Sequence, residues 1–277
     1  MTKYPIYIPT KGRFESRKTI KSLDKMNVEY SVVIEKHELD LYLSILDPGR
    51  IIVLPWSKKG EYSQLVNARN WIKKHSISKG FKRHWQIDDN IDGFERLNHN
   101  ERGRVYCDGI FRASEDFVDR YENVAIAGFE YRQFGGGARR KKPPFRLNHR
   151  VYSTSLVNNN MPLDWRGVYN DDTDLCLRAL KAGWVTVTFN CFLQNKAETM
   201  SINGGNTPIY TTGDLREEFV DSLVRQHPDV VDKVWRYDRW HHQVNYKPFA
   251  LNKLKFKDGI NDKSPVNNYG MKLIETK

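Results

Sequence analysis

Two acidic clusters in this chain have the residue types and spacing for chemistry. Asp88-Asp89-Asn90 sets two carboxylates beside an amide, an oxygen-rich group suited to a hard divalent cation such as Mg²⁺ or Mn²⁺. Such a cation would in turn hold a diphosphate. The same three residues would serve equally well as a polar turn that closes a strand. In the second cluster, Asn170-Asp171-Asp172-Thr173-Asp174, the acids stand at the start of a helical stretch, where the helix dipole favours them in any protein. Asp171 at that mouth could also act as a general base, accepting a proton from an attacking hydroxyl. A third feature is cationic. From Tyr131 to Leu163 there are seven basic residues, Arg132, Arg139, Arg140, Lys141, Lys142, Arg146 and Arg150, and no carboxylate. Gly135-Gly136-Gly137 inside this segment lacks the helix-opening context of a phosphate-cradling loop and reads as a hinge. Cations on a glycine-jointed loop offer phosphate contacts, and a polyanion is their natural partner.

The elements that would carry these clusters alternate. Ile6 to Ile8 is a short apolar run stopped by Pro9, and a polar amphipathic stretch from Ser16 to Met26 follows the turn at Thr10-Lys11-Gly12-Arg13. Tyr30 to Glu35 and Ile51 to Leu54 read as buried strands, separated by a helical stretch and a turn at Asp47-Pro48-Gly49. Leu65, Ala68 and Ile72 share one helical face, and Phe81 to Ile87 is a strand that delivers Asp88, Asp89 and Asn90 at its carboxyl end. Val124 to Phe129 and Trp184 to Phe189 read as further strands, with a helix from Asp172 to Ala182 between them and another opening at Asp214 and Glu217. Strand and helix in alternation predict an α/β fold with a mostly parallel central sheet, and ligand sites in such sheets lie at the carboxyl ends of the strands.

With 277 residues, 39% hydrophobic and 29% charged, the chain is large enough to bury a substantial core, and fibrous and disordered classes are excluded. No run approaches a membrane span and Met1 to Arg13 lacks the apolar core of a signal peptide, so a cytoplasmic protein is expected, in the host cell if the gene is a phage's. Cys107, Cys176 and Cys191 are too widely spaced for a metal or redox pair and fit a reducing compartment. The net charge of +11 is uneven: the segment 131–163 and the lysine-rich stretch 243–277 together account for all of it.

Taken in order, Ile8-Pro9-Thr10-Lys11-Gly12-Arg13 after the first strand, Glu35 ending the second, Gly60, Ala68-Arg69-Asn70 on a helix, Asp88-Asp89-Asn90, and Asp171-Asp172-Thr173-Asp174-Leu175 with Arg178-Ala179 and Gly183 resemble the nucleotide-sugar-dependent glycosyltransferases of the GT-A fold. The opening, the Asp-Asp-Asn form of the DxD motif and the basic insert are most similar to the TET-associated glycosyltransferases of phages, thought to decorate 5-hydroxymethylcytosine in DNA. The resemblance implies that Thr10, Arg13, Glu35 and Gly60 belong to the nucleotide pocket. It places Arg69 near the donor diphosphate or ribose, Asp88, Asp89 and Asn90 at a Mn²⁺ or Mg²⁺ ion, and Asp171 or Asp172 as the catalytic base. Many relatives add a histidine metal ligand after the next strand; Trp184 to Gly205 contains none, and His241 and His242 are the nearest candidates.

These parts imply transfer of a sugar, glucose from UDP-glucose foremost, to 5-hydroxymethylcytosine in double-stranded or locally opened DNA. A base facing the leaving group would invert the anomeric centre, and its absence would allow retention. Arg132, Arg139, Arg140, Lys141, Lys142, Arg146 and Trp165 are the expected nucleic-acid contacts, with Phe134, Phe145 and Tyr169 as further stacking or wedge candidates. The expected organisation is a GT-A domain over 1–242, with 131–163 as a basic acceptor-side loop, and an extension over 243–277. Two alternatives stand beside this reading: the same fold with a saccharide or protein acceptor, and a nucleic-acid-binding protein that transfers no sugar.

Overall fold

The computed structural model describes residues 1–58, 65–98, 101–135, 143–197 and 215–260. Strand β1 (Ile6–Pro9), helix α1 (Lys18–Lys25), strand β2 (Ser31–Ile34), helix α2 (Leu39–Leu43) and strand β3 (Ile51–Val53) form the first half, followed by helix α3 (Leu65–Ser78) and strand β4 (Arg83–Ile87). Next come the hairpin β5 (Ile91–Asn98) and β6 (Glu101–Arg104), helix α4 (Gly109–Val118), and strands β7 (Val124–Tyr131), β8 (Phe145–Leu147) and β9 (Thr154–Asn158). Helix α5 (Asp171–Lys181), strand β10 (Val185–Lys196), helix α6 (Arg216–Gln226) and the hairpin β11 (Val231–Arg236) and β12 (Arg239–Val244) complete the described chain.

Ten strands form one sheet in the order β3-β2-β1-β4-β9-β7-β10-β5-β6, with β8 pairing on β10. The first four run parallel, as do β7 and β10, while β9, β5 and β8 run against their neighbours. The carboxyl ends of β1, β2, β4, β7 and β10 therefore open on the same edge, with the start of β9 among them. Trp85, Phe94, Phe111 and Phe129 pack edge-on or tilted with centroids 5.1–5.8 Å apart at the centre of the core, each burial stabilising the fold by about 1.5–3 kcal/mol. The other face of β4 is polar and still buried. His84 meets Asn159 at 2.6 Å, and the Gln86 amide donates to the Arg69 carbonyl at 3.1 Å, so these side chains lie under α3 with partners supplied.

The α/β class follows the expected pattern, and three expectations are corrected. The span 131–163 is not one loop: it contributes β8 and the fully buried β9, which pairs with both β4 and β7. Thr154 to Asn158 has only Leu156 and Val157 as apolar residues, too short an apolar run to announce a central strand, and its position is set by partners distant in sequence. The boundary at 242/243 falls inside β12, and the chain beyond it is strapped to the body. Phe249 is buried with Leu177, Leu180 and Leu223, and the Asn252 amide donates to the carbonyls of Leu180 and Trp184. Finally, β10 runs on past Phe189 to Lys196, through a register shift between Phe189 and Leu193. Asp214, Gly60, the Arg139, Arg140, Lys141 and Lys142 quartet, and residues 261–277 lie outside the described residues.

Candidate active site

The strand ends bring the two acidic clusters together. Asp88 follows β4, and its backbone is pinned on two sides: its N–H donates to the Ser153 carbonyl at 2.7 Å and its carbonyl accepts from the Thr19 hydroxyl at 2.5 Å. Across the crevice, α5 begins at Asn170 in a left-handed conformation with φ 53°, which turns Asp171 and Asp172 toward the sheet. Arg69, on α3 and 2% exposed, lies between the clusters. Its guanidinium reaches Asp88 at 3.1 Å, and Asp171 and Asp172 each at 3.4 Å. Arginine suits this place because its planar fork holds several carboxylates at once and keeps its charge when buried. Asp174, one turn further, takes no part in the crevice. It is buried against Arg166, Arg178 and His227, which overcome the effect of burial and hold its carboxyl at about 2.

The environments of these acids differ. Burial raises Asp172, and the neighbouring Asp171 and Asp88 add to that against the pull of Arg69, so its carboxyl is pushed up to about 7. Asp171 is raised by burial and by Asp88, again against Arg69. Asp88 is also opposed by burial, yet Lys196 and Arg69 hold it at about 2. One carboxylate stays charged among cations, and the pair opposite is poised to take up protons. That separation of roles is the usual sign of an acid/base site.

The residues expected to hold a nucleotide gather at the ends of β1 and β2. Arg13 pairs with Asp89 at 2.5 Å, and the Thr10 hydroxyl also bonds this carboxylate. Glu35 accepts from the Lys11 ammonium at 3.1 Å and from the Lys58 N–H at 2.6 Å, so it is already engaged in fastening the rim of the crevice. Arg69, expected at the diphosphate or ribose, instead lies beneath the carboxylates as their clamp. The cation on the open side is Lys196, at the end of β10. Its ammonium donates to Asp88 at 3.0 Å and to the Ser153 hydroxyl at 2.9 Å.

Asp88, Asp89 and Asn90, the expected metal set, stand together directly after β4. Asp88 and Asp89 are both committed to cations, and no group of three His, Cys, Asp or Glu side chains able to hold a metal ion gathers among the described residues. An ion on Asp88 would share that carboxylate with Lys196 and Arg69, and unit charges at 4 Å repel by about 4 kcal/mol at an effective dielectric of about 20. His241 and His242 lie on β12, where their neighbours are Arg239, Tyr237 and Arg150. One polar atom at the strand end is left over: Asn90 Oδ1 is buried without a hydrogen bond, whereas Arg69 Nε and Asp171 Oδ2 face each other at 3.4 Å.

The expected nucleic-acid contacts fare differently. Trp165 is 3% exposed and packs with Met161, Leu175 and Cys176, so it is core rather than a stacking platform. Arg132 pairs with Glu95 at 2.9 Å and Arg146 with Glu130 at 2.6 Å. The segment has no acid of its own, but the sheet supplies them from neighbouring strands. Phe145 packs on Phe117, and Tyr169 stacks on Phe219. Lys196, Ser153 and Tyr131 escape a reading of the sequence alone, and Lys11 is legible there only as part of the motif from Ile8 to Arg13. A strand followed through to residue 196 would expose the first of them.

A protein-family model described as TET-Associated Glycosyltransferase matches residues 4–205. A search of the curated proteins finds no match for this sequence. Among solved structures, S. aureus TarS 1-349 in complex with UDP-GlcNAc is similar at 13% identity and a TM-score of 0.46, over 82% of this chain and 66% of that one. S. aureus TarS 1-349 by itself gives 12% and 0.42, over 82% and 72%. This chain thus spans just under two thirds of the first of these structures.

Proposed function

The chain belongs to the TET-associated glycosyltransferase family, and from that premise we propose that it transfers a sugar from a UDP-sugar, UDP-glucose foremost, to the hydroxymethyl oxygen of 5-hydroxymethylcytosine in DNA. The observation that carries the proposal is the single crevice in which Arg69 joins Asp88 to Asp171 and Asp172. The nucleotide lies across the ends of β1 and β2, with its diphosphate directed toward Arg13. Asp172 accepts the proton of the acceptor hydroxyl, because a carboxyl raised to about 7 is matched to proton transfer near neutrality. Acceptor oxygen attacks the anomeric carbon as the bond to the diphosphate breaks, UDP leaves with the bonding electrons, and the centre inverts. Asp171 assists by keeping its neighbour protonatable.

The acceptor side rests on charge. With Arg132 and Arg146 paired and Trp165 buried, the quartet 139–142 and the β11–β12 hairpin carry the polyanion reading. At the tip of that hairpin Arg236, Tyr237 and Arg239 are exposed, and Trp235 is 57% exposed. The pairing of Arg132 and Arg146 equally favours the same chemistry on a saccharide. Incubation with hydroxymethylated DNA and a panel of UDP-sugars, followed by digestion to nucleosides and mass spectrometry, decides between the two. A hexose mass on the modified cytidine is expected. Donor turnover indifferent to DNA selects the saccharide reading, and no turnover of any donor overturns both.

A further inference from the structure

We infer that this crevice manages the donor's diphosphate without a divalent cation, the Lys196 ammonium occupying the place of a metal ion; this rests on reading the crevice as a nucleotide-sugar site. Lys196 ends the strand that follows α5 and leans back over the Asp-Asp-Asn turn. It is held from three sides: Asp88 at 3.0 Å, the Ser153 hydroxyl at 2.9 Å, and the face of Tyr131, whose ring centre is 5.9 Å away. Tyr131 is itself tied to the same Ser153 hydroxyl at 2.9 Å. A lysine ammonium carries three donors. Two are spoken for by Asp88 and Ser153, and the third has no hydrogen-bond partner among the described residues. Lys196 is also more accessible than the other cations paired with Asp88 and Asp89, with 26% of its side chain exposed against 12% for Arg13 and 2% for Arg69.

A positive charge fixed in this way does electrostatically what a metal would do for a leaving diphosphate. It is in position before the reaction, so little reorganisation is needed as negative charge builds on the bridging oxygen. Asp88 then acts as the holder of the cation rather than as a ligand of a metal, which accounts for its two cationic partners. No further reactant is required: the anomeric carbon to oxygen bond breaks with its electron pair on UDP, and the acceptor's proton goes to Asp172.

The test is calorimetric binding of UDP and of uridine to the full chain, in chelator and in Mn²⁺. UDP is expected to bind equally in both. Lys196→Met is expected to weaken UDP by about tenfold or more, as removal of one charge-assisted hydrogen bond to phosphate should, while leaving uridine unchanged. Lys196→Arg is expected to retain most of the affinity. If UDP binds only with Mn²⁺, or if the apo protein titrates with Mn²⁺ alone, the inference falls and the glycosyltransferase reading stands. If UDP binds under neither condition, both fall. Should Lys196→Met fail to fold by circular dichroism, the wild-type comparison of chelator with Mn²⁺ still decides the matter.

Discussion

At the scale of the residue, Asp172 and Arg69 carry opposite demands. A carboxyl raised from 3.8 to about 7 prefers its protonated form in the folded state. Its contribution to stability is therefore full below about pH 3.8 and is lost as the pH rises through about 7. The same shift makes it a base at neutral pH. Asp172→Asn is thus expected to slow transfer by about 10²–10⁴-fold and to abolish an acid limb near pH 7 in the rate profile, while resisting urea better than the parent in mildly alkaline buffer. A slow variant that keeps the limb would move the base to Asp171. Arg69 works the other way, as the buried counter-charge of three half-buried acids. Arg69→Met should cost about 3–5 kcal/mol by leaving buried charge uncompensated. The cost should shrink as the pH falls and the acids protonate, which denaturation at two pH values reads directly.

Elements explain both what is legible in the sequence and what is not. The parallel half of the sheet announces itself locally: apolar β-branched runs at β1, β2 and β3, each closed by a turn and followed by an amphipathic or polar helical stretch. The acids at the end of β4 and the start of α5 are legible for the same reason, since each sits at a boundary that its own neighbours define. Antiparallel pairing across long separations leaves no such local mark. Strand β9 lies between β4 and β7 because β7 leaves room for it at Gly128. A Cβ there would lie 2.1 Å from the Thr154 carbonyl oxygen and 2.4 Å from Val151 Cγ1. Gly128→Ala must push β9 away, and with it Ser153, on which both the Asp88 N–H and the Lys196 ammonium depend. A cost of about 1–3 kcal/mol is expected for overpacking of this kind. Thermal melting should register it, and donor affinity should fall alongside, although residue 128 is set back in the sheet behind the crevice.

Over the whole molecule the question is where an excess of +11 charges does its work. Charge read along the chain spreads the polyanion surface across the entire segment 131–163, because it leaves out acids arriving from other strands. Glu95 and Glu130 neutralise Arg132 and Arg146, both at bonding distance, which leaves the Arg139, Arg140, Lys141 and Lys142 quartet as the densest run of basic residues in the segment. Reversing those four charges is expected to weaken duplex binding and to flatten its dependence on salt by up to about 0.9 in log–log slope for each phosphate no longer neutralised, with UDP affinity unchanged. Arg132→Ala and Arg146→Ala should barely alter the slope, because each charge is offset by a carboxylate of the protein's own. Tyr237→Ala, at a hairpin tip where the residue is 87% exposed, should reduce affinity for DNA with little change in that slope, since stacking on a base releases no counterions. Fluorescence anisotropy over a salt series separates the three patterns. If the paired arginines carry the slope and the quartet does not, the acceptor path runs past Glu95 on β5; if Tyr237→Ala leaves the affinity unchanged, the hairpin is not part of it.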